Sequence, residues 1–447
     1  MFKDKKVLVC GMAKSGISVA KVLTEMDAVT VVQDRNHKIE WGGYCPIGII
    51  QYLGVEPDGM VQDFDFVIIS PGITVYAPFV QKAQRLGIPV WGEAEFAYRL
   101  CPAPMIAITG TNGKTTVTSL VGEIMQRHNG KTVVGGNIGT PLTELVSTIS
   151  HEHLVVAEIS SFQLETIAAF KPAISAVLNI TEDHLDRHHT MENYIAMKSR
   201  IFENQTKNDT TVLNYDNHIT REMKPPGKTV FFSKEVLEEG AFVQDGFICF
   251  RHNSMLTKIV EVSKIKPMIE NALAATALSL LAGAPPEIIA EVLTTFKGVP
   301  HRMEYVTTIN GTEYYNDSKA TNVDSAIKAI DNETGKVILI AGGYDKKTDF
   351  TPWVNHFPGK VDEVILIGET AGQIIDTCSR LGFTSCIKAN SLEDAVSIAK
   401  SKAKPNWKVI FSPACASFDM FKNFEERGDL FKEYVLRGQN CDEDKRE

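Results

Sequence analysis

The chain has 447 residues, of which 44% are hydrophobic and 23% are charged, and its formal net charge at pH 7 is −9. At roughly 150 residues per domain this length suggests about three domains, and the composition is ordinary for a globular protein. The negative charge disfavours a general nucleic-acid binder, which needs a basic face, so we expect small-molecule partners and no nucleic acid.

The sequence also disfavours membrane insertion and export. It has no run of about 18 apolar residues, so no membrane span or membrane partner is predicted. The first apolar run ends in a glycine turn, which favours a buried strand over a signal peptide. The eight cysteines are scattered singly without a C-x-x-C pair, as expected for reduced cytosolic thiols. We therefore expect a cytoplasmic protein, and we expect it to be a monomer.

Three blocks of predicted elements follow one another along the chain. The first, residues 1–93, alternates β-branched runs with helical patterns, which indicates βαβ units and a parallel sheet. Its strands are predicted at 7–11, 29–34 and 66–70. In the second block, residues 94–298, strands are predicted at 105–109, 154–157 and 173–179, and helices at 117–126, 271–282 and 285–296.

The third block, residues 299–447, opens with a predicted hairpin. Two β-branched runs, 307–309 and 312–315, flank Asn310-Gly311, a pair that suits a type I′ turn. Three strand–helix units follow, with strands predicted at 337–341, 363–367 and 408–411. All three blocks therefore have an α/β pattern.

The most informative stretch follows the predicted strand 105–109 and reads Gly110-Thr111-Asn112-Gly113-Lys114-Thr115-Thr116. Glycines let backbone N–H groups face phosphate oxygens, and a helix N-terminus adds positive potential. Lys114 can reach the β- and γ-phosphates, and the Thr115 hydroxyl can ligate Mg²⁺. The spacing is shorter than the usual G-x-x-x-x-G-K-[ST], because Ile108 stands where the first glycine of that pattern belongs. A glycine-rich turn with an exposed lysine is the plainer alternative; we predict a phosphate loop.

An acid is expected next to this loop to hold Mg²⁺. Glu158 ends the predicted strand 154–157, and a parallel neighbour of strand 105–109 would place it beside Lys114. Mg²⁺ takes few protein ligands and keeps several waters. We predict that Glu158 is a metal ligand; the alternative is a solvated carboxylate at a strand end.

A weaker glycine pattern follows the first strand. Residues 11–16 approximate G-x-G-x-x-G, but Ala13 replaces the middle glycine, and Asp34 ends the next strand. On its own this is a weak dinucleotide signal. It leaves open an NAD-dependent oxidoreductase, although no hydride-transfer site is evident.

Together, these features and four later motifs resemble the Mur ligase family of cell-wall peptide-adding enzymes. The motifs are E-I-S-S-F-Q-L at 158–164, N-I-T-E-D-H-L-D-R-H at 179–188, H-R at 301–302 and N-D-S-K-A-T-N at 316–322. The resemblance covers essentially the whole chain. It implies a Rossmann-like N-terminal domain, a central P-loop ATPase-type parallel sheet and a Rossmann-like C-terminal domain. It also implies an ATP-dependent amide ligase of peptidoglycan precursor synthesis that works through an acyl phosphate and a tetrahedral intermediate.

The resemblance implies ATP as co-substrate and two Mg²⁺ ions. The implied ATP contacts are Gly110, Thr111, Asn112, Gly113, Lys114, Thr115, Thr116, Asn271 on the adenine side, Arg302 to phosphate and Asp317 to ribose. The implied metal ligands are Thr115, Glu158, His184 and a carbamylated Lys198, and the implied catalytic residues are Lys114, His184, Lys198 and Lys319. The plainer alternatives are a solvated Lys198, a turn-capping Asp317 and a surface ion pair at Arg302. We expect His188 and His189 at the surface or the substrate edge.

The carboxylate and amine substrates are also implied by resemblance. The stretch S-P-A-C-A-S-F-D at 412–419 is most similar to the branch of the family that adds D-glutamate. The D-glutamate contacts would be Lys346, Thr321, Ser417, Phe418 and Phe424, although Tyr344 stands near Lys346 where the family often has a small residue. The contacts to UDP-N-acetylmuramoyl-L-alanine would be Lys14, Ser15, Asp34, Arg35, Gly72 and Asn137. Closure of the C-terminal domain would exclude water from the acyl phosphate.

Three other functions stay open at this point. One is a different Mur-type ligase, which would add L-alanine, a diamino acid or a dipeptide. Another is a folylpolyglutamate synthase, which should lack the first domain. The third is a P-loop ATPase module that hydrolyses ATP without an acceptor. The 412–419 stretch disfavours the first two, and the full set of motifs disfavours the third.

Overall fold

The computed structural model describes residues 2–39, 41, 45–137, 139–265, 268–331, 333, 335–345 and 347–437, so the predicted contact Lys346 lies outside the described residues. The described strands form three sheets, of five, nine and six strands. The chain divides into two compact units, Met1–Lys297 with the first two sheets and Gly298–Glu447 with the third. Within the described residues we find no helix that is both long and apolar enough to cross a bilayer.

The first sheet is parallel throughout and has the order β3-β2-β1-β4-β5. Its strands are β1 Lys6–Cys10, β2 Val29–Asp34, β3 Ile50–Leu53, β4 Phe66–Ile69 and β5 Val90–Gly92, and its helices are α1 Lys14–Glu25, α2 Pro78–Arg85 and α3 Glu93–Leu100. The central strand β1 is buried from Val7 to Cys10, because helices cover both faces of such a sheet. The strand order reverses beside β1, so a crevice is expected at its carboxyl end.

The second sheet carries the predicted phosphate loop and has the order β14-β13-β12-β11-β10-β9-β6-β8-β7. Its strands are β6 Met105–Thr109, β7 Thr132–Gly136, β8 Leu154–Glu158, β9 Ile174–Val177, β10 Thr210–Asn214, β11 Lys228–Ser233, β12 Gly240–Gln244, β13 Phe247–His252 and β14 Met255–Glu261. Strands β12, β13 and β14 are joined as antiparallel hairpins, whereas the other pairings are parallel. No strand beyond β9 is predicted from the sequence in this block.

Helices flank the second sheet. They are α4 Lys114–Asn129, α5 Leu142–Leu145, α6 Ser161–Leu164, α7 Leu185–His188, α8 Met191–Ser199, α9 His218–Arg221, α10 Ile269–Leu281 and α11 Pro286–Thr295. Helices α10 and α11 pack on α4, and α10 is buried from Ala272 to Ser279. The loop between β6 and α4 is therefore held by a well-covered helix.

The third sheet has the order β15-β16-β20-β17-β18-β19, in which only the β15–β16 pairing is antiparallel among the described strands. Its strands are β15 Glu304–Ile309, β16 Thr312–Asn316, β17 Val337–Ala341, β18 Val361–Leu366, β19 Cys386–Lys388 and β20 Lys408–Phe411, and its helices are α12 Val323–Asp331, α13 Thr351–Val354, α14 Ala371–Arg380, α15 Leu392–Lys402 and α16 Phe424–Leu436. The predicted hairpin is confirmed: Asn310 and Gly311 have φ of 50° and 79°, as a type I′ turn requires.

Candidate functional site

The predicted phosphate loop connects the buried strand β6 to the start of α4. Gly113 precedes the helix with φ 82°, and a Cβ there would lie 2.5 Å from Asn271 Oδ1, so this position requires glycine. The first turn of α4 contains no acidic residue. Its N–H groups have no partner within the helix and, together with the helix dipole, favour an anion.

The loop is fixed from the neighbouring strand β9. The N–H groups of Thr111 and Asn112 donate to the carbonyl and the side-chain oxygen of Asn179, at 2.9 and 2.8 Å. The Thr111 hydroxyl lies 3.1 Å from the Tyr194 hydroxyl. Two N–H groups of the loop are thus engaged within the protein. Sequence reasoning quoted the motif of Asn179 but assigned neither Asn179 nor Tyr194, because both act across long sequence separations.

Two lysines converge on one carbonyl of this loop. Lys114 Nζ donates to the carbonyls of Gly110 and Thr111, at 2.9 and 2.8 Å. Lys198 Nζ donates to the same Gly110 carbonyl at 2.8 Å and lies 4.7 Å from the ring centroid of Tyr194. Burial lowers the pKa of Lys198 well below its usual value, and the charge of Lys114 lowers it further. The alternative of a solvated Lys198 is therefore wrong.

Glu158 lies where the parallel pairing predicted it. Strand β8 pairs with β6 so that Glu158 is opposite Ile108, two residues before Gly110. Its side chain is buried, and Oε1 accepts a hydrogen bond from Asn137 Nδ2 at 2.7 Å. Its Oε2 is buried and has no hydrogen-bond partner among the described residues. The alternative of a solvated carboxylate is wrong, and a buried oxygen of this kind suits a cation.

His184 immediately precedes the short helix α7 and has a left-handed backbone, with φ 54°. Its Nε2 lies 3.6 Å from Asp183 Oδ2, and its ring packs edge-on against Phe162 at 4.9 Å. Among the described residues, no group of three or more His, Cys, Asp or Glu side chains is arranged to hold a metal ion.

The expectation for His188 is wrong, whereas His189 is exposed as expected. His188 is buried, and its Nε2 lies 3.0 Å from Ser161 Oγ. Burial lowers the pKa of this imidazole. Helix α7 turns the side chain inward towards α6, an orientation that the adjacent histidine letters do not reveal.

A cavity of about 690 Å³ lies outside the carboxyl ends of β1 and β2. The residues that line it are Met12, Ala13, Lys14, Ile17, Asp34, Asn36, His37, Lys38 and Ile39. Of the predicted contacts, it brings together Lys14 and Asp34. The Asp34 carboxylate accepts from the N–H groups of Met12 and Asn36, at 2.6 and 2.8 Å, so it also shapes the loop.

The other predicted contacts to this substrate lie elsewhere among the described residues. Ser15 and Arg35 do not line the cavity, and the exposed Arg35 pairs with Glu56 at 2.6 Å. Gly72 is exposed after β4, and Asn137 follows β7 with its side chain on Glu158. Sequence reasoning missed His37 and Lys38, which carry no recognisable spacing.

In the second compact unit, Asp317 lies directly after β16 and is fully buried. Its Oδ2 accepts from Ser412 Oγ at 2.8 Å, its Oδ1 accepts from Met303 N at 3.2 Å, and Arg302 Nη1 lies 3.9 Å from Oδ1. Burial raises the pKa of Asp317 to about 6, although the Arg302 charge opposes this rise. The Asp317 carboxylate joins two loops, so the alternative of a turn-capping Asp317 does not describe it. Arg302 is partly buried against this carboxylate, so the alternative of a surface ion pair does not describe Arg302 either.

The S-P-A-C-A-S-F-D loop is anchored by a buried arginine of α16. Arg427 donates to the carbonyls of Cys415 and Ala416, both at 3.1 Å, and to the Ser318 carbonyl at 2.7 Å. Burial lowers the pKa of this guanidinium to about 10. The sequence alone predicts no role for Arg427, because nothing local distinguishes it from the exposed charges of α16.

Two of the predicted D-glutamate contacts, Ser417 and Phe418, lie on this loop. Ser417 is buried, Phe418 is 69% exposed, and Lys319 Nζ lies 5.1 Å from the ring centroid of Phe424. Thr321 N donates to the Lys319 carbonyl at 2.9 Å. The structure therefore brings Lys319 close to Phe424, whereas the bond of Thr321 to Lys319 is a local one within the same turn.

The class of the protein follows from its three sheets and from the glycine-bounded loop before α4, whose N-terminus has no side-chain cap. It is a multidomain α/β protein with a loop suited to nucleotide phosphates. Three family descriptions match the chain: "Mur ligase MurD-like, N-terminal domain" at residues 5–92, "Mur ligase middle domain" at 108–278, and "Mur ligase, glutamate ligase domain" at 301–415. The chain belongs to the Mur ligase family. It is an ATP-dependent ligase with ATP as co-substrate, which rules out both the oxidoreductase and the acceptor-free ATPase alternatives.

Relatives and solved structures agree with this assignment. The UDP-N-acetylmuramoylalanine–D-glutamate ligase of Thermoanaerobacter sp. (strain X514) is 46% identical, over 97% of this chain and 98% of its own length. The enzyme of the same name from Caldanaerobacter subterraneus subsp. tengcongensis is 44% identical, with the same coverage. The crystal structure of the ligase MurC from Thermotoga maritima has a TM-score of 0.60 at 18% identity, covering 96% of this chain and 98% of its own, which shows the shared three-domain fold.

Proposed function

We propose that this ligase joins D-glutamate to UDP-N-acetylmuramoyl-L-alanine in peptidoglycan precursor synthesis. One observation carries the phosphoryl-transfer part: the buried, unpartnered Glu158 oxygen stands beside the loop on which Lys114 and Lys198 converge. The identity of the acceptor rests on relatives of 42–46% identity over 97% of the chain, whose printed name is that of the D-glutamate ligase.

The reaction has three steps. The substrate carboxylate attacks the γ-phosphorus of ATP, so one P–O bond forms while the bond to ADP breaks. The D-glutamate amine then attacks the acyl carbon, and the tetrahedral intermediate expels phosphate as it loses the amine proton. Anions meet in the first step, so Lys114 and the α4 N-terminus provide positive charge at the oxygens that gain it.

We assign Mg²⁺ to two positions beside this loop. Thr115 and Glu158 would hold one ion, and His184 and a carbamylated Lys198 the second. The ions would neutralise triphosphate charge when bound. The Glu158 oxygen fits this role, whereas Lys198 as an ammonium does not. Its lowered pKa favours the neutral amine, which can add CO₂ and present oxygen atoms instead.

Carbamylation of Lys198 has a direct spectroscopic test. A sample equilibrated with carbon-13 bicarbonate should show a carbamate resonance in the wild type that is absent from the Lys198→Arg variant. The same spectrum in both proteins would refute the modification and leave the second Mg²⁺ with His184 alone.

We assign the substrates to the remaining predicted residues. The UDP group would occupy the cavity of about 690 Å³ that Lys14 and Asp34 line. Lys14 and Ser15 would hold the diphosphate, and Asp34 and Arg35 would flank the uracil. Gly72 would border the same cleft, and Asn137 would contact this substrate from the central domain. Arg302, Asp317 and Asn271 would contact the nucleotide. The D-glutamate contacts would be Thr321, Ser417, Phe418, Phe424 and Lys346, with Lys319 as a catalytic residue near the reacting groups. The protein is proposed to act as a cytoplasmic monomer.

The acceptor is tested by phosphate release. The protein is incubated with ATP, Mg²⁺, UDP-N-acetylmuramoyl-L-alanine and one amino acid at a time. We expect release with D-glutamate and not with L-glutamate, L-alanine or a diamino acid. Release that needs a different amino acid would establish another Mur-type ligase, and release without any amino acid would contradict the ligase reaction itself.

A further inference from the structure

Arg187 joins the first sheet's domain to the segment that carries His184. Its side chain is 11% exposed, and its Nε and Nη2 donate to the two oxygens of Glu165 at 2.8 and 2.6 Å. The same Nη2 donates to the carbonyl of Ile73 at 3.0 Å. Ile73 lies in the loop after β4 of the first sheet, whereas Glu165 follows α6 of the second. One guanidinium thus spans both.

The same guanidinium also contacts the aromatic support of His184. Arg187 Cζ lies 4.1 Å from the centroid of the Phe162 ring, whose edge packs on the His184 ring at 4.9 Å. A bidentate, largely buried pair with a carboxylate fixes the guanidinium plane in one orientation. Arg187 therefore sets where Phe162, and with it His184, stands relative to the Ile73 loop.

A nearby arginine, Arg200, bonds only within the second sheet's domain in the described structure. Arg200 donates to the carbonyls of Leu164, Glu165 and Ile167 at 2.7, 2.8 and 2.8 Å, and it pairs with Glu203. All of these partners belong to the second sheet's domain. Arg187 differs because its bond to Ile73 leaves that domain, one residue from Gly72.

We propose that Arg187 is a positioning residue for the ligase reaction: it sets the distance between the Gly72 loop, which borders the UDP substrate, and the His184 segment of the phosphoryl-transfer site. This proposal rests on the proposed function. Loss of the bonds from Arg187 to Glu165 and Ile73 should misplace the carboxylate substrate while leaving the α4 phosphate loop intact. It should therefore weaken the use of that substrate and spare ATP.

The test compares Arg187→Lys with Arg200→Lys. Lysine keeps the charge of Arg187 but cannot hold Glu165 bidentately and reach Ile73 as well. We expect the KM for UDP-N-acetylmuramoyl-L-alanine to rise about tenfold, as loss of one charge-assisted hydrogen bond implies, with the KM for ATP within about twofold. Arg200→Lys should lower the Tm and leave both KM values within about twofold.

A second variant guards against misfolding of the first. Glu165→Gln keeps the volume and breaks the ion pair, so it should raise the same KM, and its effect should not add to that of Arg187→Lys. Equal rises of both KM values, or a lowered Tm with neither KM changed, would overturn the positioning role. Turnover of the wild type with D-glutamate is measured first. If the wild type shows no turnover, both the proposed function and this proposal are wrong. If the wild type turns over but Arg187→Lys has unchanged KM values, only this proposal is wrong.

Discussion

Burial sets the protonation of the charged side chains at the candidate sites. Lys198 is pushed towards the neutral amine, and the Asp317 carboxyl has its pKa raised to about 6. Such shifts are concentrated at functional sites because ligands supply the charges that the folded protein withholds.

Asp317 should make stability depend on pH in one direction. Its folded pKa of about 6 exceeds the ordinary 3.8, so the protonated form favours folding. Its contribution is full below about pH 4 and is lost as the pH rises through about 6, a difference of roughly 3 kcal/mol. Urea unfolding of wild type and Asp317→Asn should show the variant gaining relative stability from about pH 4 to about pH 7. A constant difference over that range would contradict the buried, raised carboxyl.

At the residue scale, the sequence predicts the positions of side chains that lie at the ends of paired strands, but few of the other residues at the candidate sites. Glu158 was placed beside the loop because β8 ends there and runs parallel to β6. Asn179, Tyr194 and Arg427 support the same sites from far along the chain, and no local pattern distinguishes them. His188 was misplaced because one turn of helix decides whether a histidine faces the core.

The elements that carry the site depend on two special helix ends. A left-handed glycine flanks helix α4 on each side: Gly113, with φ 82°, precedes its first residue, and Gly130, with φ 67°, follows its last. Only the first is crowded: a Cβ at Gly113 would lie 2.5 Å from Asn271 Oδ1, whereas at Gly130 no described atom is within 4 Å.

The two glycines therefore make a matched pair of substitutions. Gly130→Ala should lower the unfolding free energy by about 1 kcal/mol from backbone strain and leave the KM for ATP unchanged. Gly113→Ala should also displace the loop and raise the KM for ATP at least about tenfold. Steady-state kinetics and thermal unfolding of both variants test this, and equal KM values would show that the loop does not hold the nucleotide.

Helix α3 is tied to the second sheet's domain by a buried carboxylate. Glu95 accepts from the N–H groups of Ala168, Ala169 and Phe170, each at 2.9 Å, and pairs with Arg99 at 2.6 Å. We expect Glu95→Gln to destabilise the protein by roughly 3 kcal/mol, because a buried pair is broken. The control Glu123→Gln breaks a partly exposed pair with Arg127 and should cost under about 1 kcal/mol. Urea unfolding measures both, and equal losses would contradict the argument.

Strands were predicted correctly where the sequence has a buried apolar run, and they were missed where it has none. The strands 29–34, 105–109, 337–341 and 408–411 have their predicted bounds. The hairpins β12–β13–β14 were missed, because alternation of strand and helix was expected to continue. Their turns, Asp245-Gly246 and Asn253-Ser254, all have positive φ, so the Asp-Gly pair was a usable signal.

At the scale of the whole molecule, the three predicted α/β blocks correspond to three sheets but to two compact units. The bonds of Glu95 and Arg187 show why the first two sheets share one unit, since both cross between their domains. The pattern of strands and helices predicts how many sheets there are, whereas side-chain bonds of this kind decide which sheets stay together. The boundaries at 93/94 and 298/299 stay predictions.

The division at Lys297 predicts where a protease should cut. Lys297 and Gly298 are exposed, and they separate the two units. Limited trypsin digestion should give its first large fragments by cleavage after Lys297, identified by mass spectrometry. First cleavage within α4 or β17 would contradict the two-unit division.

The acyl phosphate at the centre of this account can be followed by its oxygen. UDP-N-acetylmuramoyl-L-alanine labelled with oxygen-18 in both carboxylate oxygens is turned over with ATP and D-glutamate. Attack of that carboxylate on the γ-phosphorus predicts one labelled oxygen in every released phosphate and one in the new amide. Unlabelled phosphate, or label in AMP, would contradict it.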